Sequence, residues 1–157
     1  MWTMSRAFIK ESDGDDGDEL PELRVSPHRN LVTPAGLGQI EATVERLQAA
    51  LTEARAAADR AAIRQHQRDL RYWTERQRTA EVVSTSGGTN KVRFGSRVTL
   101  KKKDGERMQY QAVGEDEADP ANGRISYVSP IARLLIGLSE GDVAILPDGE
   151  ATIESIG

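Results

Sequence analysis

Ile125-Ser126-Tyr127-Val128-Ser129-Pro130-Ile131-Ala132-Arg133-Leu134-Leu135-Ile136-Gly137, followed by Glu140-Gly141-Asp142, is the stretch on which the fold turns. It reads as a short strand, a Ser-Pro turn, a short helix and a glycine stop. Ser129 suits the N-cap, because its hydroxyl can accept a bond from an orphan amide of the first helical turn. Pro130 suits the first helical position, where its missing N–H costs nothing. Ile131, Leu134 and Leu135, at i, i+3 and i+4, form one apolar face. Gly137 is placed to end the helix in the left-handed region. Taken alone, such a unit is a packing helix of a small α+β domain.

Working outward, strands surround this helix. Val92, Phe94, Val98 and Leu100 alternate around Gly95-Ser96. Asp104-Gly105 is a hairpin turn signal, and residues 107–113 are the returning strand. Residues 114–120 form an acidic loop that includes Glu115 and Asp116. Residues 142–146 and 151–156 close a small antiparallel sheet across Pro147-Asp148-Gly149. The predicted C-terminal domain covers residues 91–157, after a Ser/Gly/Thr-rich linker at 85–90.

Upstream the period changes. Thr33-Pro34 opens a helix, with Thr as N-cap and Pro at N1. Leu37, Ile40, Val44, Leu47, Leu51, Ala54 and Ala58 follow at alternating spacings of three and four, which is a heptad seam. Asp59 is a break and the N-cap of a second helix. That helix carries the seam Ile63, His66, Leu70, Trp73, Gln77, Ala80 and Ser84. Two helices with a short connection pair antiparallel, so residues 33–84 are predicted to be a hairpin with arms about 36 Å long. His66 and Gln77 read as a polar, register-setting layer. Residues 1–32 are an acidic arm with too little apolar matter to fold alone. Asp13, Asp15 and Gly17 lack the glycine offset and closing glutamate of a calcium loop.

Composition limits the function. The 157 residues contain no cysteine, which removes disulfides and thiolate metal sites. The two histidines, His28 and His66, are far apart and form no ligand set. No apolar run reaches the ~20 residues of a membrane span, and the cytoplasm is the expected location. The net charge of −4 conceals an uneven distribution. Acids crowd residues 13–22, while Arg60, Arg64, Arg68, Arg71, Arg76 and Arg78 crowd the second helix. A basic helix suits an acidic protein surface or RNA phosphate, whereas the overall acidity disfavours free duplex DNA.

The ordered motifs resemble the Gre family of bacterial transcription elongation factors, GreA and GreB. They are Val113-Gly114-Glu115-Asp116-Glu117-Ala118-Asp119, Ile125-Ser126, residues 129–137, Gly141-Asp142, Phe94-Gly95-Ser96 with Val98-Thr99-Leu100, and Thr33-Pro34-Ala35-Gly36. Ser5-Arg6-Ala7-Phe8 and residues 11–16 are similar to the arm of GreB-like sequences. The resemblance implies an FKBP-like C-terminal domain and an N-terminal antiparallel coiled coil. It implies that the C-terminal domain docks at the rim of the RNA polymerase secondary channel. Here Ser129, Pro130, Ile131, Ala132 and Arg133, with Glu115 and Asp116, would supply that docking. It also implies a hairpin entering the channel, where acidic tip residues help hold a Mg²⁺ that promotes hydrolysis of backtracked RNA.

The tip departs from the family pattern. It reads Glu53-Ala54-Arg55-Ala56-Ala57-Ala58-Asp59-Arg60-Ala61-Ala62-Ile63-Arg64. Only Asp59 can fill an acidic tip position, and Ala62 stands where a second acid belongs. Arg60 and Arg64 oppose a bound cation. The short arms resemble Rnk-like relatives, which share the C-terminal domain and lack the cleavage tip. The reading is therefore a monomeric Gre-like protein that binds RNA polymerase and modulates elongation with little transcript cleavage. It is not an enzyme and holds no cofactor; Asp59 is the one candidate catalytic residue. The competing reading is an active cleavage factor using Asp59, Glu53 and Mg²⁺. A third is an FKBP-fold module for another partner, prolyl isomerisation included.

Overall fold

The computed structural model describes residues 20–84 and 90–157. The chain forms two compact units, one of Met1–Pro27 with Glu41–Arg78 and one of His28–Ile40 with Thr79–Gly157.

Two helices dominate the first. Helix α1 covers Pro34–Ala56, and α2 covers Arg60–Thr79. At 1.5 Å per residue they are about 35 and about 30 Å long. The predicted seam of α1 holds from Ile40 to Ala54, where Ile40, Val44, Leu47, Leu51 and Ala54 are all buried; Leu37 is half-buried, and Ala58 is exposed beyond the helix end. The α2 seam is only half-buried at Ile63, His66, Leu70 and Trp73. Tyr72 and Trp73 meet edge to face, with ring centroids 5.2 Å apart. The helix ends earlier than the seam predicted, so Ala80 and Ser84 lie outside it. The reason is local. Glu81–Val82 form a two-residue strand, β2, that pairs with β1, Leu31–Val32. The Glu81 and Val83 amides donate to the Asn30 and Val32 carbonyls at 2.8 and 2.9 Å, so they do not extend the helix. The segment read as a flexible arm is likewise packed at its end, where Asn30 and Val32 are buried. The calcium-like positions of the arm lie outside the described residues.

The turn between the helices is a Schellman motif. The Asp59 amide donates to Ala54 O, and the Ala58 amide to Arg55 O. This motif needs a left-handed residue, usually glycine, just past the helix end. Here it is Ala58, at φ 51°, the one non-glycine residue with positive φ among those described. A left-handed alanine costs about 1–2 kcal/mol, and glycine returns about 0.4–1 kcal/mol of that through unfolded-chain entropy. Ala58→Gly should therefore stabilise the hairpin by about 0.5 kcal/mol. Urea unfolding checks it, and a lowered midpoint would count against the motif.

The second unit is built on a five-stranded sheet ordered β5-β4-β3-β7-β6. Its strands are β3 (Arg97–Lys102), β4 (Arg107–Val113), β5 (Arg124–Ser126), β6 (Val143–Leu146) and β7 (Gly149–Ile156). The predicted hairpins at Asp104-Gly105 and Pro147-Asp148-Gly149 both form. Val92 and Phe94, read as part of the first strand, precede it. A turn closed by Ser96 N donating to Arg93 O separates them from β3. The sheet is mixed, because β5 runs parallel to β4. The chain crosses between them through two 3₁₀ turns, Glu115–Glu117 and Pro120–Asn122, and so does not fold straight back. Helix α3, Pro130–Leu135, covers the inner face. Val98, Leu100, Ile125, Ala132, Leu135, Leu146 and Ile153 form the core. Burying each large aliphatic side chain contributes about 1.5–3 kcal/mol.

Candidate functional site

The hairpin tip is built from the end of α1 and the start of α2. Glu53 and Arg60 are exposed, and Arg64 is half-buried. Asp59 serves as the N-cap of α2: its Oδ1 accepts from the Ala62 amide at 3.2 Å, and its carbonyl from the Ile63 amide at 2.9 Å. A hard divalent cation needs several oxygen ligands. Among the described residues, no three His, Cys, Asp or Glu side chains gather in one place. The Asp59 carboxylate is engaged by an amide and flanked in sequence by Arg60.

Helix α3 follows the sequence reading at its start. The Ser129 side chain accepts from the Ala132 amide at 3.3 Å, with Pro130 at the first position. Gly137 takes φ 94°, and its amide donates to Val92 O. The apolar face is rotated from the expected one. Ala132 and Leu135 are buried, while Leu134 is 44% exposed and Ile136 38%. Adjacent residues of a helix point about 100° apart, so Leu134 and Leu135 cannot both face the core, and the small Ala132 lets the helix approach closely. Ala132, named above for docking, instead seats the helix. Pro130, Arg133, Leu134 and Ile136 form the outward surface. Ile131 packs against the core edge.

The residue that sequence reasoning missed is Glu117, in the same 3₁₀ turn as the docking candidates Glu115 and Asp116. It is 4% exposed. Its Oε2 accepts from the Thr33 amide at 2.9 Å and the Gly114 amide at 3.0 Å, and its Oε1 accepts from the Thr33 hydroxyl. The Thr33 hydroxyl oxygen in turn caps α1 by accepting from the Gly36 amide at 3.0 Å. A carboxylate thus sits at the positive end of α1, where the helix dipole favours it. The Arg124 guanidinium lies 3.7 Å away. The signal was present as Gly114-x-x-Glu117, a capping-box spacing, but one acid in a run of acids does not identify itself.

The α2 arginines divide. Arg60, Arg71 and Arg78 are exposed, Arg64 and Arg68 half-buried, and Arg76 only 2% exposed. Arg76 therefore leaves the proposed contact face. Arg71 makes a two-pronged ion pair with Glu22, Nε to Oε2 at 3.1 Å and Nη2 to Oε1 at 2.5 Å. That hydrogen bond holds the Glu22 carboxyl below the usual range and raises the Arg71 guanidinium. Arg78 pairs with Glu75, and Arg68 with Asp69. Part of the arginine face is thus already matched by acids of this chain.

Comparison with known proteins bears on this arrangement. Residues 87–156 match the family described as transcription elongation factor, GreA/GreB, C-term. The chain is similar to transcription elongation factor GreA of Hyphomonas neptunium, 55% identical over 67 residues, 41% of this chain and 43% of that protein. It is also similar to transcription elongation factor GreB of Neisseria meningitidis serogroup B, 40% identical over 96 residues, 59% of each chain. The chain thus spans about half the length of the curated relatives it matches. Among solved structures it resembles GreA factor homolog 1 of Thermus thermophilus, with 25% identity and a TM-score of 0.40, over 83% of this chain and 99% of that one. One expectation is corrected by these matches. The sequence was read as not an enzyme, yet its relatives bear the names GreA and GreB. These are the factors whose resemblance implies a part in RNA hydrolysis, so that exclusion does not stand.

Proposed function

We propose, from the match of residues 87–156 to the GreA/GreB C-terminal domain family, that the chain is a transcription elongation factor acting on RNA polymerase at its secondary channel. The outward surface of α3, with Pro130, Arg133, Leu134 and Ile136, supplies the docking face together with Glu115 and Asp116. An exposed apolar pair beside a guanidinium is the composition that protein contacts favour. The helical hairpin is the part that enters the channel, and its exposed arginines meet acidic protein or RNA phosphate there. It acts as a monomer.

The observation that carries the finer reading is at the tip. Asp59 is one carboxylate, with an amide on one of its oxygens and Arg60 beside it. Metal-assisted hydrolysis requires carboxylates free to share the cation and a local charge that attracts it. This tip therefore promotes transcript cleavage slowly and acts chiefly by occupying the channel. The test is a stalled, backtracked polymerase incubated with the protein and Mg²⁺. Release of short 3′ RNA fragments within a few-fold of the spontaneous rate, together with an altered elongation rate, is the expected result. Rapid release that disappears in Asp59→Ala overturns the reading. Absence of any complex with core polymerase at low salt overturns the partner as well.

A further inference from the structure

The outer face of the sheet carries a feature that polymerase docking does not use. Arg97, Gln111 and Arg124 stand directly opposite one another on β3, β4 and β5: Arg97 pairs with Gln111, and Gln111 with Arg124. Paired residues of adjacent strands project from the same face, so the three form one row. Their sequence neighbours Val98, Ala112 and Ile125 are buried in the opposite direction. With strands ~4.8 Å apart, the two arginines start about 10 Å from each other. The row is the common wall of two adjoining clefts, of about 240 and 450 Å³. Gln109 and Asn122 line the smaller one, and Thr33 and Gln39 the larger.

The charge balance of this row differs from that at the hairpin end of the sheet. Lys102, Lys103 and Arg107 each have a carboxylate, from Asp148, Glu150 and Glu154. Arg97 has no acidic partner among the described residues. Arg124 lies 3.7 Å from Glu117, beyond hydrogen-bond length, and the Glu117 oxygens are already taken by Thr33 and Gly114. The nearby Asp119 is held by the Asn122 amide at 2.6 Å. Two guanidinium forks therefore flank an amide on a concave polar surface; Arg124 shares its charge with Glu117 at 3.7 Å, and Arg97 brings the uncompensated positive charge.

From this geometry we infer a binding site for a nucleotide carrying two or more phosphates. Guanidinium forks match phosphate oxygens in pairs. The carboxamides of Gln109 and Gln111 offer both donors and acceptors to a base or ribose. Ligand pockets commonly measure ~300–1,000 Å³, and the two clefts together fall within that range. The site is open, so the affinity is micromolar or weaker and falls with added salt.

Isothermal titration of the full chain at low salt tests this without polymerase, so its outcome is independent of the function proposed above. The probes are GDP, ADP, GMP, inorganic pyrophosphate and a short oligouridylate. GDP or ADP should bind at least tenfold more tightly than GMP and more tightly than pyrophosphate. Arg97→Ala and Arg124→Ala should each weaken binding about tenfold, equivalent to about 1.4 kcal/mol, and the double variant should abolish it. Circular dichroism verifies their folding. Arg97→Lys, on an exposed position, should keep only part of the affinity if the fork matters. Unchanged affinity in the double variant overturns the site. Pyrophosphate binding as tightly as the nucleotides reduces it to adventitious anion binding. Tighter binding of the oligouridylate through the same arginines replaces the nucleotide with single-stranded RNA.

Discussion

Glu117→Ala should destabilise the protein by about 3 kcal/mol. The substitution strands three buried donors at once: the Thr33 amide, the Thr33 hydroxyl and the Gly114 amide. Each buried group left without a partner costs ~1–3 kcal/mol, and the hydroxyl can turn to recover part of its share. The carboxylate's interaction with the first turn of α1 is lost as well. Glu117→Gln should cost about half as much, because its amide oxygen still accepts while its NH₂ faces donors. Urea unfolding of the two variants separates these cases. Equal and small losses, below about 1 kcal/mol for both, would mean that water replaces the carboxylate and that Glu117 is no anchor.

Gly36→Ala should be nearly as damaging, by about 2 kcal/mol, although alanine is the better helix former. A Cβ at this position would lie well inside contact distance of the Glu117 carboxylate carbon and both its oxygens. The carboxylate must then withdraw from the Thr33 and Gly114 donors, which carries the unsatisfied-donor penalty. Two turns of comparison sharpen the test. Gly38, in the same helix, has nothing within 4 Å of such a Cβ. Gly38→Ala should therefore stabilise by about 0.5–1 kcal/mol, the ordinary helix-propensity gain. In a Glu117→Ala background the Gly36→Ala penalty should disappear, because the group it collides with is gone. A double-mutant cycle measures this coupling directly. Additive losses would show that the two residues act independently.

Much of this was legible before any coordinates. Thr33-Pro34 and Ser129-Pro130 announce their helices because capping is local chemistry, readable over four residues. The α1 seam was legible because 3.5-residue spacing of Leu, Ile and Val is a property of one segment. The turn at Asp104-Gly105 was legible for the same reason. Asp59 was recognised as a helix start, and the structure shows what that role does to it: the side chain that caps α2 is also the acid read as the candidate catalytic residue of the tip.

Several of the places where the reading failed depend on contacts distant in sequence. Helix α2 stops at Thr79 because Glu81 and Val82 meet residues 31–32, some fifty positions away. Leu134 turns outward and Ala132 inward because the core beneath α3 sets the depth of the helix. Arg76, one arginine among many, is buried while its neighbours are not.

What the sequence determined by itself was the two long helices followed by a sheet with one short helix, the α+β class, the resemblance of residues 87–156 to the GreA/GreB C-terminal domain and the shortage of acids at the tip. Those follow from short-range periodicity and from residue identity. What only the tertiary structure decided was which members of each chemical class matter. Of the acids in residues 115–119, Glu117 became the anchor because it alone lies within reach of Thr33 and Gly114. Of the sheet's basic residues, Arg97 and Arg124 became a candidate site because strand register sets them in one row with Gln111. Register and burial are long-range properties, fixed by packing free energy spread over the whole core, and no local spacing encodes them.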